Sequence, residues 1–121
     1  MHCIGVDIIE IARIERVIAR WGESFLHRVY TDLELRLCRK KLSSLAARFA
    51  GKEAVIKALG PKNKGIGWKE IEILSDSSGK PSVRLYGKAQ NQAHSLGLDN
   101  LAISLSHSKE YAVAFVIGET K

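Results

Sequence analysis

Apolar and polar residues alternate in two ways along this chain of 121 residues. Apolar positions three and four apart mark helices, and strict alternation marks strands. His2–Ile9 reads as a strand through Cys3, Ile4, Val6, Ile8 and Ile9. Residues 10–21 fit a helix with Ile11, Ile14, Val17, Ile18 and Trp21 as its stripe, ended by Gly22. Residues 23–30 form a short amphipathic piece. Thr31-Asp32-Leu33-Glu34 is a capping box that starts another helix.

The longest helical pattern ends at Gly60-Pro61 and has Ser43 or Ser44 as its expected N-cap. Leu45, Phe49, Ile56 and Leu59 give it a large apolar stripe. Ala47, Ala50, Gly51, Ala54 and Ala58 give it a second stripe of small residues, where another backbone can approach closely. Residues 68–74 and 82–86 read as a hairpin around Asp76–Pro81. Residues 88–96 fit a polar helix. Residues 101–106 and 111–118 are two more strands, and the second is too apolar for an exposed edge. The pattern predicts one α+β domain over residues 1–121, with a mostly antiparallel sheet against a long central helix.

Charge changes the picture. Residues 10–64 hold 13 of the 19 Lys and Arg against 6 of the 13 Asp and Glu, a local excess of +7 within a net charge of +6. Such an excess points to an acidic partner: nucleic acid, a phosphorylated small molecule or an acidic protein. Aromatic residues make up 7%, and none interleaves with the basic segment as stacking platforms do, which speaks against nucleic acid. No run of about 18 apolar residues is present, so no membrane span is expected. The N-terminus does not read as a secretory signal. The cytoplasm is therefore the expected location, with Cys3 and Cys38 reduced.

Candidate chemistry gathers at few positions. Asp7 interrupts an apolar strand, and Gly5 removes a side chain from the same face. A carboxylate there must be paired, bound to a metal or used as a cap. Glu53 and Lys57 share a helix face, as either a weak surface pair or part of a metal-and-phosphate site. Arg13, Arg16 and Arg20 form a row that is either solvated or a dock for an acidic helix. The basic loop at residues 61–67, with Gly65 and Gly67, can present N–H groups to phosphate. His107 ends a strand at a turn, either as an ordinary surface residue or facing a cleft.

Three segments together resemble a known family. They are Gly5-Val6-Asp7-Ile8-Ile9-Glu10-Ile11; Arg48-Phe49-Ala50-Gly51-Lys52-Glu53-Ala54 with Lys57-Ala58-Leu59-Gly60; and Ser104-Leu105-Ser106-His107-Ser108 with Tyr111-Ala112-Val113-Ala114. They are similar to the holo-acyl-carrier-protein synthases, small 4′-phosphopantetheinyl transferases of fatty-acid synthesis. The resemblance implies transfer of 4′-phosphopantetheine from CoA to a serine of apo-acyl carrier protein, releasing adenosine 3′,5′-bisphosphate. It implies Mg²⁺ on Asp7 and Glu53, and catalytic roles for these two with Lys57 and His107. Arg48, Lys52, Lys57, Gly65, Gly67, His107 and Ser108 fall at expected CoA-contact positions. His107 is open between CoA ligand and base. Arg13, Arg16 and Arg20 are the expected carrier-protein dock. The resemblance also implies a homotrimer with sites between subunits. Two departures stand out: Gly51 replaces a commoner alanine, and the loop at 61–67 is longer than the family's. A nucleic-acid-binding module and another Mg²⁺-dependent phosphoryl enzyme, such as a nuclease, are the competing readings.

Overall fold

The structure is a computed structural model and describes residues 1–60 and 65–120. In chain order it runs β1 (His2–Glu10), α1 (Ile11–Trp21), α2 (Glu23–Val29), α3 (Asp32–Cys38) and α4 (Leu42–Leu59). A 3-10 turn (Trp68–Glu70) leads into β2 (Ile71–Ser75) and β3 (Pro81–Leu85). Then follow α5 (Gly87–Ser95), β4 (Leu98–His107) and β5 (Tyr111–Thr120).

The strands form two antiparallel sheets, β1-β5-β4 and β2-β3. The apolar β5 is central, as its composition predicts. In the larger sheet, Gly5, Ile9, Ala112, Ala114 and Val116 are buried on the face that α4 covers. The small residues on both sides set how close that packing is. A Cβ added at Gly5 would lie 1.8 Å from Ala54 O, so only glycine lets β1 and α4 approach this far. That approach brings Asp7 to the helix.

Several local expectations need correction. Neither Ser43 nor Ser44 caps α4. The helix starts two or three residues earlier, with Lys41 at the N-cap and no side-chain cap bond. Residues 68–70 wind into a 3-10 turn, because Tyr86 N donates to Glu70 O and Glu70 N to Gly67 O. Gly51, where the family more often has alanine, has a packing role. A Cβ there would lie 2.5 Å from Ile73 Cδ1 and 3.2 Å from Ile103 Cδ1, so its absence seats both side chains. The capping box at Thr31 and Glu34 forms as expected.

The outer face of the larger sheet is uncovered. Ile4, Val6, Ile8, Tyr111 and Phe115 all point there, and Ile8 is 63% exposed. No helix of the described residues is long and apolar enough to cross a membrane.

Candidate active site

Asp7 is the one charged side chain of β1 on the face that packs against α4. Its neighbours on that face, Gly5 and Ile9, are buried. Lys57, in the last turn of α4, donates from Nζ to Asp7 Oδ1 (2.9 Å) and to Val6 O (3.1 Å). Glu53, one helical turn earlier, is partly buried beside the same pair. Burial pushes its carboxyl above the ordinary value of 4.5, and the negative charge of Asp7 pushes it further. Lys57 and Arg13 oppose that push. Lys57 itself is raised, chiefly by its hydrogen bond to Asp7. Two carboxylates are thus held together, and at Glu53 burial and Asp7 outweigh Lys57 and Arg13.

No cluster of three or more His, Cys, Asp or Glu side chains occurs among the described residues, so no all-protein metal cage is formed there. Two carboxylates nevertheless fit Mg²⁺, which commonly takes one or two and fills its shell with water and substrate phosphate.

His107 lies elsewhere. It faces the α4 side of the sheet, as Asp7 does, but from β4. Asp7 pairs with Ala114, which pairs with Leu105, and His107 is two residues further on. Strand spacing and rise put the two backbones roughly 12 Å apart. His107 lines a separate groove of about 390 Å³ with Arg48, Lys41, Ser44, Ser75 and Pro81. The structure therefore brings Asp7, Glu53 and Lys57 together and leaves His107 outside that cluster within one chain.

Of the expected CoA contacts, Arg48 borders the His107 groove. It is fixed from behind by donating from Nε to Ile73 O (3.1 Å) and from an Nη to Ser75 Oγ (2.8 Å). Lys52 is a correction. It is fully buried, and its three donors go to Glu34 Oε1 (2.7 Å), Ile71 O (2.6 Å) and Trp68 O (3.0 Å). Burial lowers its pKa, opposed by Glu34 and Glu72. No ligand reaches it without opening the core. The Ser108 hydroxyl accepts from Glu110 N and Tyr111 N, which shapes the β4–β5 turn. Gly65 has φ +95°, and Gly67 N donates to Glu70 Oε1 (2.6 Å). Residues 61–64 of the expected phosphate loop lie outside the described residues.

Arg13, Arg16 and Arg20 are all exposed on α1. Arg13 adds its charge to the Glu53 neighbourhood, whereas Arg20 stacks over Trp21 at 5.3 Å. The row thus runs outward from the carboxylate cluster. Glu34 and Glu70 escape the sequence reading. The capping-box pattern pointed to Glu34 as a cap, but nothing local showed that its other oxygen receives Ile73 N (2.8 Å) from 39 residues away.

Known proteins resemble this chain along nearly its whole length. A holo-[acyl-carrier-protein] synthase of Dehalococcoides mccartyi is 55% identical over 116 residues, covering 95% of this chain and 96% of the relative. One from Herpetosiphon aurantiacus is 50% identical, covering 98% of each. The crystal structure of the Helicobacter pylori holo-[acyl-carrier-protein] synthase in complex with coenzyme A superposes with a TM-score of 0.85 at 35% identity, covering 96% of this chain and 99% of that one. The Neisseria meningitidis enzyme gives 0.87 at 32%, covering 98% of each. Residues 3–116 match the 4′-phosphopantetheinyl transferase superfamily. The chain therefore belongs to that superfamily and falls among its holo-acyl-carrier-protein synthases.

Proposed function

We infer that this protein transfers the 4′-phosphopantetheine of CoA to a serine of apo-acyl carrier protein, with Mg²⁺ held by Asp7 and Glu53. The carrying observation is the convergence of Asp7, Glu53 and Lys57, with Lys57 Nζ 2.9 Å from Asp7 Oδ1. The curated relatives bear the name of that activity, and a structural neighbour was solved with coenzyme A.

In this reading the serine Oγ bonds to the β-phosphorus of CoA. The bond from that phosphorus to the bridging oxygen breaks, and adenosine 3′,5′-bisphosphate leaves with the electron pair. The serine proton passes to a base. Mg²⁺, when bound, offsets the charge of the pyrophosphate and of the leaving oxygen. Asp7 and Glu53 hold it as carboxylates. Lys57 orients Asp7 and places a further positive charge beside the transferred group. Arg13, Arg16 and Arg20 dock the acidic carrier, with Arg13 nearest the reacting groups.

The cationic lining of the His107 groove, with Arg48 and Lys41, favours His107 as a CoA ligand over His107 as the base. His107→Ala should then raise KM for CoA with little change in kcat. A fall in kcat with an altered acidic limb of the pH profile would make it the base.

The assembly follows the same logic. Asp7 and His107 sit apart within one chain, and the outer sheet face exposes Ile4, Val6, Ile8 and Phe115. Both features support a homotrimer, with that face against neighbouring copies and each site shared between two of them. Apolar surface of this kind is stabilised by burial.

Mass spectrometry of an apo-carrier protein after incubation with CoA and Mg²⁺ tests the function. The gain of one phosphopantetheine is expected, and an unchanged mass overturns the assignment. Mixing refolded Asp7→Ala and His107→Ala chains, assayed at CoA well below the raised KM of His107→Ala, tests the shared site. A rate in the mixture above that of either parent supports sites between subunits, and a rate no higher than the parents' sinks that arrangement.

A further inference from the structure

Described residues on either side of positions 61–64 are tied to α5, close to the last turn of α4 that carries Lys57. Before these positions, Gln92 Nε2 donates to Leu59 O (3.4 Å). After them, the Glu70 carboxylate accepts from Gly67 N through Oε1 (2.6 Å) and from Lys88 N through Oε2. Gly87 makes room for this contact. Its φ is +54°, and a Cβ there would lie 2.2 Å from Glu70 Oε2. Glu70 therefore sits at the N-terminus of α5, where a negative charge is favoured. The next side chain, Lys88, reaches Gly65. A Cβ built on Gly65 would lie 3.3 Å from its Nζ. Glu70 thus ties the loop's far end to the helix whose first turn carries Lys88.

We propose that Glu70 is a positioning residue for CoA: by joining Gly67 to the first turn of α5, it holds the Gly65–Ile66 main chain and the Lys88 ammonium together as a receptor for a CoA phosphate group. An ammonium beside glycine backbone is suited to an anion, since no side chain keeps the phosphate away. Glu70 touches no substrate itself. Lys88 does, and it supplies a cation outside the Asp7 cluster and the His107 groove. The proposal rests on CoA being the donor.

The test compares wild type, Glu70→Gln, Glu70→Ala, Lys88→Ala and the double Glu70→Ala/Lys88→Ala. The readouts are CoA calorimetry, initial rates, and amide hydrogen exchange at Gly67 and Lys88. Glu70→Ala should weaken CoA binding and raise its KM about tenfold, the scale of losing charge-assisted bonds. Glu70→Gln keeps one acceptor and should give a smaller rise. In both, kcat and KM for the carrier protein should stay within about twofold. Lys88→Ala should match Glu70→Ala, and the double variant should be no worse than either alone. The two amides should exchange faster in Glu70→Ala. Unchanged CoA affinity despite faster exchange would overturn the proposal and leave Glu70 a purely structural brace. Loss of kcat and of both KM values in step with Tm would overturn it too. Should the wild type neither bind nor consume CoA, the donor assignment itself fails. That failure shows in the wild-type arm, apart from any variant, and the proposal falls with it.

Discussion

Lys52 and Glu53 are adjacent in sequence but enter opposite environments. One residue along a helix is about 100° of rotation. Lys52 turns into the core and meets Glu34, where both side chains are fully buried. Glu53 turns toward Asp7 and Lys57, where the Lys57 side chain is 56% exposed and that of Asp7 18%. The buried pair is fully satisfied. Lys52 uses three donors, and Glu34 accepts from Lys52, Thr31 N and Ile73 N. The open cluster is left with a Glu53 raised by burial and by the charge of Asp7. The same residue types do different work according to whether their bonding capacity is spent inside the protein. A closed pair ties α3, α4 and β2 together, whereas an unfinished one can take a cation and a phosphate.

The comparison breaks first at the open cluster. Asp7→Ala and Glu53→Gln should each lower kcat/KM by at least roughly 10²–10³-fold, the scale of a removed preorganised charge. Their melting temperatures should stay close to wild type. Wild-type turnover at saturating Mg²⁺ in either variant would refute the metal-ligand assignment. Glu53→Gln is the stricter variant, since it keeps the shape.

Lys52→Met should do the reverse. It strands the Glu34 charge in the core, which costs about 3–5 kcal/mol. That corresponds to a fall in Tm of roughly 10–20 °C for a domain near this size. Whatever protein remains folded should keep its KM for CoA. A raised KM with unchanged Tm would return Lys52 to the substrate site.

A smaller effect is expected along α1. Arg16→Glu and Arg20→Glu should raise KM for the carrier protein several-fold and flatten its dependence on ionic strength, because rim charges act mainly on encounter. KM for CoA should not move. Arg13→Glu should raise both KM values, since its charge also reaches Glu53. Equal behaviour of all three variants would separate Arg13 from the cluster.

The smallest effect concerns pH. The Glu53 carboxyl is raised, so the folded protein binds its proton more tightly than the unfolded chain does. Between the unfolded value near 4.5 and the higher folded value, stability should fall as pH rises. Metal-free Glu53→Gln should lose that slope and be slightly more stable than wild type at neutral pH. Melts across this window check it, and parallel curves would mean Glu53 carries no such penalty.

Much of this was legible in the sequence. Local periodicity marked the strands at both ends, the central helix and the core position of β5. The Thr31–Glu34 capping box could be read because its partners are three residues apart. Asp7 and Glu53 stood out because a carboxylate in an apolar strand or beside a small-residue helix face needs an explanation. The motif spacing carried the family. What the tertiary structure alone decided was how each charge is used. Lys52 reads as a ligand of phosphate until Glu34, Trp68 and Ile71 close around it from 18, 16 and 19 residues away. Glu70 carries no signal of its own in the sequence, and only the fold brings Gly67 and Lys88 to donate to it. His107 reads as either a CoA ligand or a base, and only strand register shows that it lies two strands from Asp7 within one chain. Periodicity reports which face of an element is apolar, because that depends on neighbours in the chain. The partner of a polar group depends on segments brought in from far along the sequence, and no local pattern encodes which ones arrive.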